Sequence, residues 1–305
     1  MKPRHLLNWS SFSDPEIREI LDLASLVKKN PTEYQNRLSH KTLVMVFQKT
    51  STRTRVSFEA AMTELGGHAI FLDWNASNFA LTEISYESAY LSRNSHVIMA
   101  RMMEHDDLAK MASTSQVPVI NGCCNKYHPC QALADMLTIK EHCTTLKGTR
   151  LTYIGVHNNI ANSLMSVCCA FDVSLTLVCP LVRYKDEEIY GRLAAKGLIT
   201  ETLDAKTAVK NADFVYTDTW IDMEFFNDPS KLLMKDNRIR TMVPYQLNET
   251  LLNGSKAKVM HDMPIHPGYE ITPELVESEQ SVIFEQAENR LHSQKALLLW
   301  LLGQA

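Results

Sequence analysis

The sequence predicts an α/β protein with two domains, each a parallel sheet flanked by helices, and three observations support this. Short apolar runs typical of buried strands alternate with amphipathic helical stretches over most of the chain. The alternation stops at residues 146–148 and then begins again, so the chain divides into two similar halves. A length of 305 residues also suits two domains of ordinary size.

The first half opens with a helix and continues with strands and helices in turn. Ser13 and Glu16 fit a capping box, and Pro15 suits the first helical turn. A second helix follows the first strand and ends at Gly66-Gly67. Strands are predicted at Thr42–Phe47, His68–Leu72, His96–Ala100 and Val117–Ile120, and a long helix at His128–His142.

The second half repeats the pattern and ends in a returning helix. Helices are predicted at 158–171 and 186–196, and the last helix, Phe284–Leu302, is strongly apolar on one face. We therefore expect this last helix to pack back on the first domain. The strands of the second half are predicted at Arg150–Gly155, Ser174–Cys179, Asp213–Asp218 and Ala257–Asp262. The predicted limits are 1–145 for the first domain, 146–283 for the second and 284–305 for the returning helix.

The overall composition excludes several classes of protein. With 45% hydrophobic and 22% charged residues, the chain can bury a core and is not disordered. With a net charge of −4, the chain lacks the excess of basic residues that is typical of nucleic-acid-binding proteins. No run approaches the ~18 apolar residues of a membrane span, and the first residues contain no apolar signal region. Seven cysteines without CxxC spacing indicate reduced thiols, so we expect a cytoplasmic protein without membrane or nucleic-acid partners.

A cationic turn follows the first strand. Lys49, Arg53 and Arg55 lie among four hydroxyl residues at the start of a helix, where their mutual repulsion is unfavourable unless an anion binds. Ser51 is a natural N-cap, which leaves backbone N–H groups facing an incoming anion. Arg53 and Arg55 could fork around phosphate oxygens, with Lys49 as a point charge. The glycines of a P-loop are absent. The pattern predicts a phosphate pocket, and the alternative is a solvated basic turn.

The motifs resemble those of the aspartate/ornithine carbamoyltransferase family. "STRTR" after an apolar strand is similar to the family's carbamoyl phosphate signature. The ornithine branch is the closer match, because of "HPCQ", the "NN" pair after the second-domain strand, "TDTW" and the C-terminal motif. The matching segments follow the family's order along nearly the whole chain: Ser51–Arg55, Ile98–Arg101, His128–His142, Tyr245–Leu252 and Glu288–Leu298.

The resemblance implies a set of residues for carbamoyl phosphate. Arg101 would bridge its phosphate and carbamoyl groups, while His128 and Gln131 would hydrogen-bond the carbamoyl oxygen and nitrogen. For His128 alone, an ordinary histidine at a helix N-terminus is the alternative, and Pro129 and Gln131 beside it argue against that. Fixed donors and cations suffice for an acyl transfer, so no metal or organic cofactor is expected. The implied ligands are Ser51, Thr52, Arg53, Thr54, Arg101, His128, Gln131, Met263 and Arg290, and the implied catalytic residues are Arg101, His128, Gln131 and Asp262.

The acceptor side departs from the family's pattern. The resemblance assigns the acceptor carboxylate to Asn159 and its α-amino group to Asp218, with Asp222 and Met223 as further contacts. The family's "SMG" reads Asp222-Met223-Glu224 here, its "HCLP" reads His261-Asp262-Met263-Pro264, and its "GDGNN" reads Gly155-Val156-His157-Asn158-Asn159. The added carboxylates would repel aspartate and suggest a more cationic acceptor. Three possibilities stay open: ornithine itself with Asp222 and Glu224 in solvent, an ornithine-like amine or diamine, and a non-catalytic carbamoyl phosphate or phosphate binder.

The resemblance also implies a reaction and an assembly. We expect a carbamoyltransferase in which an amine free base attacks the carbamoyl carbon of carbamoyl phosphate, giving a ureido product and phosphate. Arginine biosynthesis is the expected role. A homotrimer is implied, because the family's loop corresponding to Asn75–Ser88 reaches into a neighbouring subunit's site.

Overall fold

The computed structural model describes residues 3–222 and 225–305, and its chain divides into two compact units. The first unit comprises Met1–Leu137 and Glu288–Ala305, and the second comprises Thr138–Ala287. Each unit contains one parallel sheet flanked by helices. The predicted fold class is therefore confirmed.

The first unit has a four-stranded sheet in the order β2-β1-β3-β4. Its first helix begins as the capping box predicts, with the Glu16 carboxylate accepting from the Ser13 N–H at 2.8 Å. The strands are β1 (Thr42–Phe47), β2 (His68–Asp73), β3 (Val97–Arg101) and β4 (Val119–Cys123). The helices are α1 (Asp14–Lys29), α2 (Pro31–Tyr34), α3 (Thr52–Glu64), α4 (Ile84–Asn94), α5 (His105–Thr114) and α6 (Pro129–Glu141).

The second unit has a five-stranded sheet in the order β7-β6-β5-β8-β9. The strands are β5 (Arg150–His157), β6 (Ser174–Val182), β7 (Ile199–Glu201), β8 (Phe214–Thr217) and β9 (Lys258–His261). The helices are α7 (Asn159–Phe171), α8 (Glu187–Ala195), α9 (Ala205–Lys210), α10 (Leu232–Met242), α11 (Glu249–Leu252) and α12 (Pro273–Val276). The last helix, α13 (Ile283–Leu301), begins in the second unit and continues into the first. A buried apolar cluster that includes Ile154, Val215 and Val259 packs the sheet against its helices.

The C-terminal helix α13 ends within the first unit, as the sequence predicts. The Trp300 ring lies 5.5 Å from the Phe12 ring, and the Lys28 ammonium donates to the Asn289 amide oxygen at 2.8 Å. The Lys295 ammonium pairs with the Glu64 carboxylate at the end of α3. In the described ranges 3–222 and 225–305, no helix is long and apolar enough to cross a membrane.

Several strands differ from the sequence prediction, among them β6, which continues from Cys179 to Val182, and two of the differences have local reasons. β4 begins at Val119 rather than Val117, because Pro118 has no N–H to donate to the sheet. β7 was not predicted, since its three residues include Thr200 and Glu201, and two of the three are exposed at the edge of the sheet. An edge strand needs no apolar run, so it leaves a weak signal in the sequence.

Each sheet has one point at which the strand order reverses. β1 lies between β2 and β3, and β5 lies between β6 and β8. Ligands of parallel α/β sheets bind beyond the carboxyl ends of the strands at such a point. Phe47 at the end of β1 is in register with Arg101 at the end of β3. In the other sheet, Thr217 at the end of β8 is in register with His261 at the end of β9. These edges carry the predicted site residues.

Candidate active site

In the first unit, the helix α3 begins directly beyond the reversal point. The Ser51 hydroxyl caps α3 by accepting from the Thr54 N–H at 3.2 Å, and it donates to the Thr54 hydroxyl oxygen at 3.0 Å. The positive end of the helix dipole and the first-turn N–H groups therefore lie at the carboxyl end of β1. This is the geometry that the cationic turn predicted for an anion.

Arg101 ends β3 beside this helix. Its carbonyl accepts from the Gln48 N–H at 2.9 Å, which fixes the strand end next to the turn. Arg101 is only 8% exposed, and its Nε has no hydrogen-bond partner among the described residues. A buried guanidinium N–H without an acceptor is costly, so this nitrogen is suited to an anionic ligand.

Arg290 connects three segments that are distant in sequence. Its Nη1 donates to the Gln131 amide oxygen at 2.7 Å, and its Nη2 donates to the Thr54 hydroxyl at 3.2 Å. The Gln131 amide nitrogen in turn donates to Asp135 at 2.8 Å. All of these side chains are buried. Residues from α3, α6 and α13 are thus held in one hydrogen-bonded chain, which fixes the side chains that the family motifs singled out.

His128 lies at the start of α6 with 5% of its surface exposed. Burial lowers the pKa of this histidine well below its usual value, and the positive charges of Arg290, Arg101, Lys49 and Arg53 lower it further. His128 is therefore neutral near pH 7 and can donate one ring N–H to a ligand. These four cations surround His128. We call the three arginines, Arg53, Arg101 and Arg290, together with Lys49, the arginine cluster.

Arg55 does not form the predicted fork with Arg53. Its Nε pairs with the Glu59 carboxylate at 2.9 Å, and its guanidinium lies 3.9 Å from the centre of the Phe71 ring. Residues two apart on a helix do not face the same side, so one turn of α3 cannot direct both arginines at one ligand. Arg55 lines a surface cleft of about 430 Å³ that also includes Lys49, Ser51, Thr52 and Phe71.

In the second unit, Asp218 follows the end of β8 and is 3% exposed. Its carboxylate accepts from the Asn158 amide at 2.6 Å and from the Thr219 N–H at 2.6 Å. Asn158 also caps α7, since its amide oxygen accepts from the Ile160 N–H at 2.9 Å. The sequence prediction chose Asn159, which is half-buried in the first turn of α7. Asn158 was missed, although an asparagine before a helix is a recognisable N-cap.

Asp262 follows the end of the neighbouring strand β9. Asp218 and Asp262 directly follow Thr217 and His261, which are in register on the paired strands β8 and β9. The two aspartates therefore lie side by side at the ends of these strands, and we call them the carboxylate site. Burial is the main cause that raises the pKa of Tyr153 well above its usual value, and both aspartates add to it. The Asp262 side chain is 11% exposed, and one of its oxygens lies 3.6 Å from the His261 ring.

Two histidines and a buried glutamate support the loop after β9. His261 Nδ1 accepts from the Met263 N–H at 2.8 Å, so its proton is on Nε2, which donates to Glu270 at 3.1 Å. Glu270 also accepts from the His266 N–H at 2.6 Å. The His266 ring stacks on Phe226 at 4.0 Å, and its burial lowers its pKa. These residues were not predicted as part of the site, because Glu270, the partner of His261, lies nine residues downstream and forms no recognisable motif with it.

Asp222 is held by two arginines. Its carboxylate pairs with the Arg183 guanidinium and lies 3.4 Å from Arg238 Nη1, which also donates to the Trp220 carbonyl at 2.9 Å. The charge of Asp222 is therefore compensated within the second unit. Met223, a predicted acceptor contact, and Glu224 lie outside the described residues.

Metal coordination was not expected from the sequence. Among residues 3–222 and 225–305, no group of three or more histidine, cysteine or acidic residues could hold a metal ion. The seven cysteines are free thiols, five of them buried. Burial raises the pKa of Cys124 to about 11 and that of Cys130 to about 12.

Two parallel-sheet units, each with polar side chains at its reversal point, have the fold of the two-domain carbamoyltransferases. Residues 4–141 match the family model described as "Aspartate/ornithine carbamoyltransferase, carbamoyl-P binding domain". Residues 147–301 match "Aspartate/ornithine carbamoyltransferase, Asp/Orn binding domain". The chain belongs to the aspartate/ornithine carbamoyltransferase family, and it is a carbamoyltransferase.

Several ornithine carbamoyltransferases are similar to this chain over its full length. The chain is 40% identical to the ornithine carbamoyltransferase of Archaeoglobus fulgidus, over 99% of this chain and 98% of that protein. It is 38% identical to a catabolic ornithine carbamoyltransferase of Halobacterium salinarum, over 98% and 99% of the two chains. Its fold superposes on the structure of ornithine carbamoyltransferase from Pyrococcus furiosus with a TM-score of 0.91 and 37% identity, covering 99% of this chain and 98% of that one.

Proposed function

We propose that this carbamoyltransferase transfers the carbamoyl group of carbamoyl phosphate to the side-chain amine of ornithine, giving a citrulline-type ureido product and phosphate. The relatives at about 40% identity over the whole chain have ornithine in their names. The single observation that carries the donor half is the arginine cluster, in which the buried Arg101 Nε has no acceptor in the described ranges 3–222 and 225–305.

The arginine cluster fits carbamoyl phosphate. The Ser51-capped start of α3, with Thr52, Arg53 and Thr54, would hold the phosphate, and Arg101 would reach both halves of the ligand. Arg290 would add charge while keeping Thr54 and Gln131 in place. As phosphate leaves it gains negative charge, which these cations stabilise.

His128 and Gln131 would polarise the carbamoyl group. A neutral imidazole donates an N–H to the carbamoyl oxygen, where negative charge develops during attack. The low pKa of His128 keeps it in this form over the physiological range. The Gln131 amide oxygen has a second lone pair beside its bond to Arg290, and this lone pair can accept from the carbamoyl nitrogen.

The carboxylate site fits the amine acceptor. We assign the α-amino group to Asp218, the carboxylate to Asn159, and the reacting amine to Asp262, with Asp222 and Met223 as further acceptor contacts. Met263 is assigned to the carbamoyl group. The amine attacks as its free base, and a fixed Asp262 carboxylate would attract and orient the cationic form before it loses its proton.

The ion pairs of Asp222 with two arginines favour ornithine over a diamine as the acceptor. A more cationic acceptor would need additional uncompensated carboxylates, and Asp222 is paired with Arg183 and Arg238. A diamine also lacks the carboxylate that would meet Asn159. A different cationic amine remains the second candidate, and the observation that favours it is Asp262 in place of the family's cysteine.

The remaining assignments follow the family. We propose residues 1–145 as the donor-binding domain, 146–283 as the acceptor-binding domain and 284–305 as the returning helix. We also propose a cytoplasmic homotrimer in which Asn75–Ser88 completes an adjacent site. Arginine biosynthesis is the proposed role, although the Halobacterium salinarum relative is named as catabolic.

The test is release of phosphate from carbamoyl phosphate over a panel of ornithine, lysine, putrescine and aspartate, with product identified by mass. Ornithine is expected to give the highest kcat/KM. A higher value for putrescine would replace ornithine by a diamine. Binding of carbamoyl phosphate without turnover for any amine would instead identify a non-catalytic binder.

A further inference from the structure

The second unit has a large cleft at the opposite edge of its sheet from the carboxylate site. The strands β5, β8 and β9 begin at this edge, and the carboxylate site lies beyond the ends of β8 and β9. The cleft has a volume of about 680 Å³, and all of its lining residues belong to the second unit. Its size suits a small-molecule ligand.

The lining of this cleft is strongly positive. Among the described lining residues the one carboxylate is Asp213, which Arg150 holds in a bidentate pair, with Nη2–Oδ1 at 2.7 Å and Nε–Oδ2 at 3.1 Å. The Glu285 carboxylate pairs with the lining residue His142. The pair of Arg150 and Asp213 raises the pKa of Arg150 and lowers that of Asp213. The cleft also contains four lysines, Lys147, Lys210, Lys256 and Lys258, and within the described chain none of them lies within salt-bridge distance of a carboxylate.

The four lysines come from separate parts of the chain. Lys147 lies in the connection between α6 and β5, Lys210 ends α9, and Lys256 and Lys258 lie at the start of β9. Lys258 donates to the Glu279 carbonyl at 3.1 Å, which is uncharged. The whole chain has a net charge of −4, so this surface is opposite in sign to the average. A concave surface of one sign focuses its field on a ligand of the other sign.

The ligand chemistry follows from the spread of the charges. A single phosphate needs cations that converge on one point, as they do around His128. Here the four lysines come from three separate segments of the chain that line one cleft of about 680 Å³. Lysines bind phosphates as separate point charges. We propose that this cleft binds a polyphosphate chain, carried by a nucleoside triphosphate or an inorganic polyphosphate, at a site separate from the reaction.

The experiment is calorimetric titration of the full-length protein with ATP and with tripolyphosphate at low salt. The test variant is Lys147→Gln/Lys210→Gln/Lys256→Gln, which removes three exposed side chains. We expect its Kd for either probe to rise at least tenfold. The matched control is Lys29→Gln/Lys110→Gln/Lys206→Gln, which changes the net charge equally with exposed lysines outside the cleft. Its Kd should change less than twofold.

Arg53→Ala separates this cleft from the arginine cluster. Binding that survives Arg53→Ala but is lost in the triple variant supports the cleft. Binding lost in Arg53→Ala, equal binding by both triple variants, or no binding by the wild type would overturn the proposal. ATP binding more tightly than tripolyphosphate identifies a nucleoside triphosphate, whereas equal affinities identify the inorganic chain.

Discussion

The two reversal points of this molecule handle charge in opposite ways. In the first unit, four cations surround the neutral His128, and the buried Arg101 Nε has no acceptor among the described residues. In the second unit, Asp218 is met by two N–H donors and Asp222 by two arginines. The first site is therefore built for a ligand that brings its own negative charge. We propose that the second sets its selectivity through the geometry of fixed carboxylates rather than through excess charge.

The largest expected effect is on His128, at the centre of the cationic site. His128→Ala should lower kcat by roughly 10²-fold or more, as the loss of an oxyanion donor does. Affinity for carbamoyl phosphate should weaken far less than in the arginine variants. Steady-state kinetics and direct binding measure the two quantities, with His68→Ala on the exposed β2 strand as control. Equal losses of binding and turnover would assign His128 to ground-state anchoring instead.

The second prediction tests which arginines belong to the cluster. Arg53→Ala and Arg101→Ala should each weaken carbamoyl phosphate binding about tenfold or more, since charge-assisted contacts contribute roughly 1.5–3 kcal/mol. Arg55→Ala, in the same turn, should change affinity less than either, because that guanidinium is held by Glu59 and Phe71. Circular dichroism would verify that each variant is folded. Unchanged affinity in Arg53→Ala or Arg101→Ala would remove the phosphate assignment.

The sequence predicted the first site more completely than the second, for a physical reason. Ser51 as N-cap, the strand predicted to end at Ala100 beside Arg101 and the helix predicted from His128 are local features that propensity and motif spacing reveal. Contacts between distant segments leave no local pattern. The partners of Asp222, at Arg183 and Arg238, and the contact of Asn158 with Asp218 are of that kind.

The sequence prediction was also wrong about the direction in which one side chain points. Arg55 was grouped with Arg53 by position in the sequence, and the helical period separates them. The strand ends were predicted closely where the runs are buried. They were missed at β7, where exposure at the sheet edge removes the apolar signal.

The third prediction concerns the carboxylate site. Asp262→Asn should raise the KM for the acceptor several-fold, more than it lowers kcat, because the carboxylate orients a cation rather than taking its proton. Affinity for carbamoyl phosphate should change little. The measurement is kcat and KM for ornithine at saturating carbamoyl phosphate. A fall in kcat with unchanged KM would instead make Asp262 the group that accepts the proton.

A fourth prediction uses the neutral state of His128. Its pKa in the folded protein lies well below the 6.5 of an unfolded chain, so the unfolded state binds more protons below pH 6.5. His128 therefore destabilises the protein increasingly as the pH falls below that value, by up to about 1.4 kcal/mol per pH unit. His128→Asn should flatten the fall of stability between pH 6.5 and 5, measured by urea unfolding. An unchanged slope would mean that the histidine becomes charged in the folded state.

The smallest effect is expected for Asp222, where the comparison of the two sites is sharpest. If the two arginines compensate its charge, Asp222→Ser removes no attraction for a cationic acceptor. It leaves Arg183 and Arg238 unpaired, so the loop should loosen and the KM for ornithine should rise modestly, about two- to fivefold. The ranking of ornithine above diamines should stay the same, also in Asp262→Cys/Asp222→Ser. The measurement is kcat/KM for ornithine and putrescine in the wild type, both variants and Arg238→Gln. A specific loss of putrescine turnover in Asp222→Ser would show that this carboxylate meets the acceptor directly, and the second site would then select by charge as the first does.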